Sequence, residues 1–335
     1  MIASLAVLRL SLGRATAVVV LLALGAVSCG DGGSDTESGS TSAPSVTGSI
    51  HPLLLEGDDG VMFAAQTFNL PCVDDWPAAE DVAGDVDDLA TVLDSRDVDL
   101  VTMVVPEKGW MYPELVPETV SGECADEAVQ ELRAALAPAA HHYDLWADVE
   151  RAVADHPDEL LYWKADTHWN DIGRAEVMPG IVDQIERGVY DTSAVRSNGA
   201  YDKVGGDLAA MAELDRTERA EDLVVERPGQ HTTVEKLGTD AQVSRHRNTG
   251  PRPLIEGTTL IATDSHLFNA TDWLAPWFED VVIVRWHKLE GVPVRKLALE
   301  ADRVVLSFSG RFAGPRLQRA AEDLTAALST PPEVG

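Results

Sequence analysis

Segments with the pattern of β-strands alternate with segments that have helical spacing along most of the chain. The strand-like runs are rich in β-branched and other apolar residues and lie at 99–106, 142–148, 160–164, 257–264, 281–287 and 303–309. The helix-like segments lie at 126–137, 171–188 and 269–280. Strands that alternate with helices favour a mostly parallel sheet covered by helices on both faces. The alternation therefore predicts an α/β fold.

The folded region has the pattern of one domain. From residue 49 to residue 330 we find no internal repeat and no second low-complexity linker, although 189–257 has no regular pattern. We therefore expect a single α/β domain over 49–330 that contains one long insertion. In this architecture functional sites lie at the carboxyl ends of the strands.

The N-terminal segment has the pattern of an export signal. Two arginines precede an apolar run over 15–27, which is shorter than the roughly 20 residues that a membrane-spanning helix needs. Small residues lead to Cys29, and 29–48 has too few large apolar side chains to form a packed core. This order is typical of a lipoprotein with a signal peptide at 1–28, a lipid on Cys29 and a flexible tether. An ordinary signal peptide, which would release a secreted protein, is the alternative.

Cys72 and Cys124 are the two cysteines that follow this segment. In an oxidising compartment an even pair favours a disulfide. Neither cysteine has another cysteine or a histidine at the spacing of metal ligands. We therefore expect a disulfide and no metal site.

The chain carries a formal net charge of −30 at pH 7. A surface this acidic repels phosphate backbones and anionic lipid headgroups. We therefore expect no nucleic-acid partner, and contact with the membrane only through the N-terminal lipid anchor.

Asp166, His168 and Ser265 have the pattern of a catalytic site. His168 follows the strand-like segment 160–164 and Ser265 follows 257–264, so both are expected at carboxyl ends of strands. Acyl transfer uses a nucleophile, an imidazole that removes its proton and a carboxylate that orients the imidazole. A polar turn and a helix cap are the structural alternatives for the two halves. No G-x-S-x-G sequence occurs, so an ordinary α/β-hydrolase is not supported.

The blocks DTHWN at 166–170 and TDSHLFN at 263–269 resemble the paired signatures of the SGNH hydrolase-like family related to the alginate O-acetyltransferases AlgX and AlgJ. Weaker similarities lie in the family's order at 56–63, 104–117 and 205–211. The resemblance implies a three-layer, flavodoxin-like SGNH fold and no cofactor. It also implies that Ser265 is the acyl-accepting nucleophile, His168 the general base and Asp166 its orienter.

The same resemblance implies a reaction and its partners. We expect an extracytoplasmic O-acetyltransferase that moves an acetyl group through an acyl-serine to hydroxyl groups of a cell-surface or exported polysaccharide. A membrane-bound acyltransferase is the expected supplier of acetyl groups. A carbohydrate acetylesterase with the same three residues and a catalytically silent glycan-binding lipoprotein are the alternatives.

Three further residues are candidates for the oxyanion site or the substrate wall. The backbone amides of Ser265 and His266, or the side chain of Asn269, are expected to stabilise the oxyanion, and helix capping is the alternative for Asn269. Trp169 is expected in the wall of the site. His266 stands where the family often has an aromatic or aliphatic residue.

Overall fold

The computed structural model describes residues 53–237, 242–286 and 293–329. The expected signal peptide, Cys29 and the tether lie outside the described residues. Within the described ranges, no helix is both long and apolar enough to cross a bilayer.

The strands and helices of the described residues are as follows. The strands are β1 (Leu54–Glu56), β2 (Met62–Ala64), β3 (Asp99–Val105), β4 (His142–Tyr143), β5 (Val195–Val204), β6 (Thr217–Val225), β7 (His231–Lys236), β8 (Val243–Thr249), β9 (Ile255–Thr263), β10 (Phe278–Arg285) and β11 (Arg303–Ser309). The helices are α1 (Gln66–Asn69), α2 (Ala79–Asp94), α3 (Lys108–Met111), α4 (Glu123–Leu136), α5 (Leu145–Asp155), α6 (Asp171–Ile185), α7 (Asp207–Met211), α8 (Ser265–Phe268), α9 (Thr271–Leu274), α10 (Val294–Glu300) and α11 (Gly310–Ser329).

A seven-stranded sheet forms the centre of the fold, in the order β4-β3-β11-β9-β10-β8-β7. Neighbouring strands from β4 to β10 are parallel, and β8 pairs antiparallel with both β10 and β7. The parallel strands β3, β9, β10 and β11 are mostly buried along their lengths. Burial on both faces explains why these strands are almost continuous apolar runs in the sequence.

The helices pack in two groups. In one group α11 contacts α2, α4 and α10, and α2 also contacts α4. In the other, α5 and α6 pack together and α9 lies beside α6. α2 turns one apolar face inward, because its buried side chains recur every three or four residues at Val82, Val86, Leu89 and Leu93. The expected three-layer α/β architecture is confirmed.

β5 and β6 form an antiparallel ribbon that is separate from the central sheet. α7 lies between these two strands in the chain. The prediction that 189–257 has no regular structure is therefore wrong. Besides the ribbon and α7, this segment contains β7, β8 and the start of β9. The ribbon strands are exposed or half-buried along both faces, so they lack the apolar alternation that would have revealed them.

Three predictions of local structure are wrong. The segment 142–148, predicted as a strand, is a strand only in β4 and continues as helix α5 from Leu145. The segment 160–164 is a loop, in which Tyr162 makes an isolated bridge with Trp169. The helix predicted over 269–280 ends at Leu274, where a 3-10 turn that contains Pro276 leads into β10. Lys108 binds the carbonyl oxygens of Trp163 and Lys164 and so sets the course of the loop, and Pro276 ends the helical pattern after Leu274.

Cys72 and Cys124 form a disulfide, with Cα atoms 5.8 Å apart. The bond joins a 3-10 turn at Leu70–Cys72 to the first turn of α4 and spans 52 residues of sequence.

Candidate active site

His168 and Asp166 lie in the loop that precedes α6. His168 Nδ1 is 2.5 Å from Asp166 Oδ1, and the His168 backbone N–H donates to the same oxygen at 3.1 Å. Asn170 ends the loop by capping α6, since its side chain accepts the Gly173 N–H at 2.8 Å. Because Asp166 accepts from Nδ1, the other ring nitrogen of His168, Nε2, is the one that takes up a proton.

Buried Lys108 in α3 holds the shape of this loop. Its ammonium donates to the carbonyl oxygens of Trp163, Lys164 and Asp166 at 2.8, 3.0 and 2.9 Å. Burial lowers the pKa of Lys108 to about 7, and the carboxylates of Asp207 and Asp166 oppose this shift. Only the ammonium has the three N–H donors that these carbonyl groups need. Lys108 therefore fixes the backbone on both sides of the Asp166–His168 pair.

Lys203, from β5, binds the second oxygen of Asp166. Its Nζ is 2.8 Å from Asp166 Oδ2 and 4.2 Å from the ring centroid of Trp163. Burial by itself raises the pKa of Asp166, but the hydrogen bond and charge of His168 and the charge of Lys203 outweigh it and hold that pKa well below its usual range. Asp166 is therefore ionised at neutral pH and stabilises positive charge on His168.

Asp207, at the start of α7, fixes the residue between Asp166 and His168. Its Oδ1 accepts the Thr167 backbone N–H at 2.8 Å, and its Oδ2 accepts the Thr167 hydroxyl at 2.5 Å. Gly206 allows this approach, because a Cβ at that position would lie 2.1 Å from the Ala165 carbonyl oxygen. The segment 205–211 therefore packs directly against the loop.

Asp166, His168 and Asp207 also bring metal-ligand atoms within 4.8 Å of one another. Their oxygen atoms are already engaged, because Asp166 binds His168 and Lys203, and Asp207 binds Thr167. The Lys203 ammonium at 2.8 Å would compete with a metal cation for Asp166 Oδ2. We therefore assign this group to the orientation of His168 and not to a metal site.

Ser265 is the first residue of α8 and follows β9, the middle strand of the sheet. Asp264, directly before it, accepts the His266 N–H with Oδ1 at 3.0 Å and the Ser309 N–H with Oδ2 at 2.7 Å. Because Ser309 ends the neighbouring strand β11, Asp264 ties the carboxyl ends of two parallel strands together. Ser265 is half-buried at this edge, where α/β folds place their sites.

α8 turns towards the imidazole of His168. The Asn269 N–H donates to the Ser265 carbonyl oxygen at 2.8 Å, and Asn269 Nδ2 lies 3.2 Å from His168 Nε2. Among the hydrogen bonds of the described residues, none joins the Ser265 hydroxyl to His168. In this conformation the Asn269 amide therefore contacts His168 Nε2, the nitrogen to which the Ser265 hydroxyl would have to donate.

The structure places Trp169 and His266 behind His168. Trp169 is 1% exposed, and its ring lies edge-on to that of His266 with centroids 5.5 Å apart. His266 is also 1% exposed, and its backbone N–H already donates to Asp264. The predicted wall position of Trp169 and the predicted oxyanion or wall role of His266 are therefore corrected, because neither ring is open to substrate and the His266 amide is already bonded.

A cavity of about 350 Å³ opens over His168. It is lined by Trp163, Asp166, His168, Arg174, Tyr201, Lys203 and Asn269. The ribbon supplies Tyr201 and Lys203, and α6 supplies Arg174. These three side chains were not found from the sequence; the nearest signal is the Gly205-Gly206-Asp207 segment, which follows Lys203 by two residues.

The sequence matches one family model, and it matches no curated protein. A sequence model of the family described as "SGNH hydrolase-like domain, acetyltransferase AlgX" matches residues 54–244. This range contains Asp166, His168 and Asp207 and ends before Ser265.

Solved structures of similar shape share little sequence with this chain. Bacillus cereus PatB1 with a sulfonyl adduct has a TM-score of 0.59 and 14% identity, and the similarity covers 79% of this chain and 99% of that chain. A DHHW family protein from Eubacterium siraeum has a TM-score of 0.51 and 12% identity, over 81% of this chain and 98% of that chain. The O-acetyltransferase domain of Pseudomonas putida AlgJ has a TM-score of 0.49 and 14% identity, over 83% of this chain and 100% of that chain.

The first two structures share the fold. The family model spans residues 54–244 of a chain of 335 residues, which is more than half of its length. The protein therefore belongs to the SGNH hydrolase-like AlgX family.

Proposed function

We propose that the protein is an extracytoplasmic O-acetyltransferase that moves an acetyl group through Ser265 to hydroxyl groups of a polysaccharide. The observation that carries this proposal is the Asp166–His168 pair, joined at 2.5 Å and facing the helix that Ser265 begins. Membership of a family described by an acetyltransferase supports the reaction class.

In the first half of the proposed reaction, Ser265 Oγ attacks the carbonyl carbon of an acetyl donor, and its proton moves to His168 Nε2. Asp166 holds the Nδ1–H and stabilises the imidazolium. The oxyanion accepts hydrogen bonds from the Ser265 backbone N–H and from the Asn269 side-chain amide. When the tetrahedral intermediate collapses, the bond to the leaving group breaks, the leaving group takes the proton from Nε2, and acetyl-Ser265 remains.

In the second half, a sugar hydroxyl attacks the acetyl carbon and gives its proton to His168 Nε2. Ser265 Oγ leaves and recovers that proton, so the enzyme returns to its starting state. Tyr201, which is half-buried, offers aromatic surface in the cavity over His168, which suits contact with a sugar ring. Water in place of the hydroxyl would give hydrolysis with the same three residues.

The proposal requires Asn269 to move. Its amide nitrogen now lies 3.2 Å from His168 Nε2, where the Ser265 hydroxyl must donate. Catalytic hydrogen bonds often form fully only when substrate is bound. A rotation of the exposed Asn269 side chain would release Nε2 and leave its amide free to meet the oxyanion.

The proposal also includes a location and a partner. Residues 1–28 direct export, Cys29 carries a lipid, 29–48 form a tether, and the catalytic domain extends over 49–330. This reading is supported by the order of charged, apolar and small residues at the N-terminus. Acetyl-CoA is cytoplasmic, so a membrane-bound acyltransferase must pass acetyl groups outward to the domain.

The test is the formation of acetyl-Ser265 from methylumbelliferyl acetate by residues 30–335. We expect ester cleavage in the parent, and a mass increase of one acetyl group on the peptide that contains Ser265. Ser265→Ala and His168→Ala should each lower kcat/KM by on the order of a hundredfold or more. Ser95→Ala is a matched control, because Ser95 ends α2 shortly before β3 begins and therefore lies at the opposite edge of the sheet.

Acceptor polysaccharides then separate transfer from hydrolysis. Release of methylumbelliferone that outpaces release of free acetate, with the difference recovered as acetyl ester on the glycan, supports the transferase. Free acetate equal to methylumbelliferone for every acceptor would make the protein an acetylesterase. Equal background rates in the folded parent and in both variants would contradict any use of Ser265 as a nucleophile.

A further inference from the structure

A second imidazole lies directly behind that of His168. The ring centroids of His266 and His168 are 5.0 Å apart, with an angle of 53° between the planes. His266 is 1% exposed, and neither of its ring nitrogens makes a hydrogen bond. The reaction proposed above makes no use of this ring.

Two carboxylates lie near His266, and each is bound by an arginine of α11. Asp264 at the end of β9 has Oδ1 3.5 Å from His266 Nδ1. Glu107, which follows β3, is 2% exposed, and its Oε1 has no hydrogen-bond partner. Two arginines of α11 complete the surroundings: Arg311 binds Glu107 at 2.8 Å and Arg316 reaches Asp264 at 3.4 Å.

This arrangement favours a charged His266. Burial alone lowers the pKa of His266, but the contact with Asp264 and the charges of Asp264 and Glu107 outweigh burial and raise it, against the opposing charge of Arg311. His168 Nδ1 lies 2.5 Å from Asp166 and 3.8 Å from Asp207, and Lys203 binds Asp166 at 2.8 Å. In the proposed reaction His168 gains and loses a proton, and its ring lies 5.0 Å from that of His266.

We propose that His266 is a positioning residue whose buried positive charge keeps His168 neutral, and so active as a base, at lower pH. This proposal rests on the proposed function, because it concerns the residue that removes the Ser265 proton. A positive charge about 5 Å from His168 disfavours its protonated form. The interaction is the Coulomb repulsion between the two rings. His266 is buried and does not touch substrate.

The opposing idea is that His266 only fills volume beneath His168. The two ideas differ in what happens when the ring is kept and the charge is removed. His266→Phe retains a flat ring and loses the charge, while Asp264 and Glu107 keep theirs. His168 should then become easier to protonate.

The experiment is a pH profile of kcat/KM for methylumbelliferyl acetate, measured on residues 30–335 for the parent, His266→Phe and His266→Gln. We expect the acidic limb of both variants to move to higher pH by about one unit. On that limb, the rate relative to the plateau would fall by about tenfold at a given pH. His231→Phe is a control, because His231 is exposed on the edge strand β7 and its profile should match the parent's.

An unchanged acidic limb in folded His266→Phe and His266→Gln would overturn the proposal and assign His266 to packing. If both variants fail to fold, NMR of the ring nitrogens in Ser265→Ala decides instead. There we expect His266 to carry both protons across the pH range in which His168 titrates. A neutral His266 in that range would overturn the proposal.

The two proposals fail in different ways. Absence of acetyl-Ser265 in the parent would refute the acyl-serine reaction, and the NMR titration would still report the charge on His266. Formation of acetyl-Ser265 with identical pH profiles in the parent and the His266 variants would refute only the role of His266.

Discussion

Asn269 Nδ2 lies 3.2 Å from His168 Nε2, the nitrogen that would accept the proton of the Ser265 hydroxyl. Asn269 follows Ser265 by one helical turn, and its backbone N–H donates to the Ser265 carbonyl oxygen. The two side chains therefore share one face of α8 and compete for one nitrogen. Because Asn269 is exposed, rotation of its side chain requires no change in the core.

Asn269→Ala tests whether this amide serves the oxyanion. Loss of one oxyanion donor lowers kcat by about a hundredfold in comparable sites, so we expect a loss of that order for methylumbelliferyl acetate. KM should change little, because the amide acts on charge that develops in the transition state. Asn198→Ala on the exposed ribbon is the control. A rise in kcat would instead mean that Asn269 only blocks Nε2.

Lys203→Gln tests the support of Asp166. The variant removes the ammonium 2.8 Å from Asp166 Oδ2 and leaves the carboxylate without its cation. We expect kcat to fall by about tenfold, because Asp166 is less well held in the geometry that orients His168. KM for a small ester should stay near the parent value. Lys236→Gln, on exposed β7, should match the parent, and an unchanged kcat in Lys203→Gln would contradict the role.

The sheet was predictable from sequence, because its parallel strands are buried on both faces. β3, β9 and β11 appear as apolar runs of seven to nine residues within one or two positions of the predicted bounds. The cap of α6 at Asn170 was also predictable, because its amide side chain directly precedes a helical pattern. Ser265 was placed correctly at the end of β9, whereas His168 was expected at the end of a strand at 160–164 that is a loop in the structure.

The rest of the site depends on contacts between distant residues. The loop at 160–170 takes its shape from Lys108, which lies 55 residues before the nearest carbonyl it binds, and Asp166 is held by Lys203, 37 residues later. The local pattern at 160–164 indicates a strand. Nothing within that segment reveals that Lys108 and Lys203 will bind the loop. His266 was misplaced for a related reason: it follows the proposed nucleophile in sequence, but its ring is buried and its N–H donates to Asp264, the cap of α8.

Lys108→Met tests the anchoring of that loop. The substitution keeps a long apolar stem and removes the donor to the carbonyl oxygens of Trp163, Lys164 and Asp166. The Lys164 carbonyl oxygen keeps the N–H of Met62 at 2.8 Å, so the carbonyl groups of Trp163 and Asp166 are the two that depend on Lys108. A buried carbonyl group without a donor costs about 1 to 3 kcal/mol, so we expect the free energy of unfolding to fall by about 2 kcal/mol or more. Denaturant unfolding measures it. Lys296→Met, on exposed α10, is the control, and a stability equal to the parent's would show that the loop does not need this ammonium.

Asp264→Asn tests how the carboxyl ends of β9 and β11 are joined, through the dependence of stability on pH. Burial alone raises the pKa of Asp264, but His266, the Ser309 amide and Arg316 outweigh it and hold the pKa well below its usual range. A carboxyl group with a lowered folded-state pKa contributes stability that is complete above its unfolded pKa of about 3.9 and is lost as pH falls towards the folded value. Asp264→Asn should therefore be less stable than the parent at pH 7 by about 3 kcal/mol.

The difference in unfolding free energy between the parent and Asp264→Asn should shrink as pH falls below about 4, because the carboxyl group of the unfolded parent then takes up a proton while that of the folded parent stays ionised. Urea unfolding from neutral pH to about pH 3 measures this difference. Asp158→Asn, at an exposed position that forms no ion pair among the described residues, should differ little from the parent at any pH. A stability loss in Asp264→Asn that stays constant across the range would mean that the lost shape of the cap matters and the ionisation of Asp264 does not.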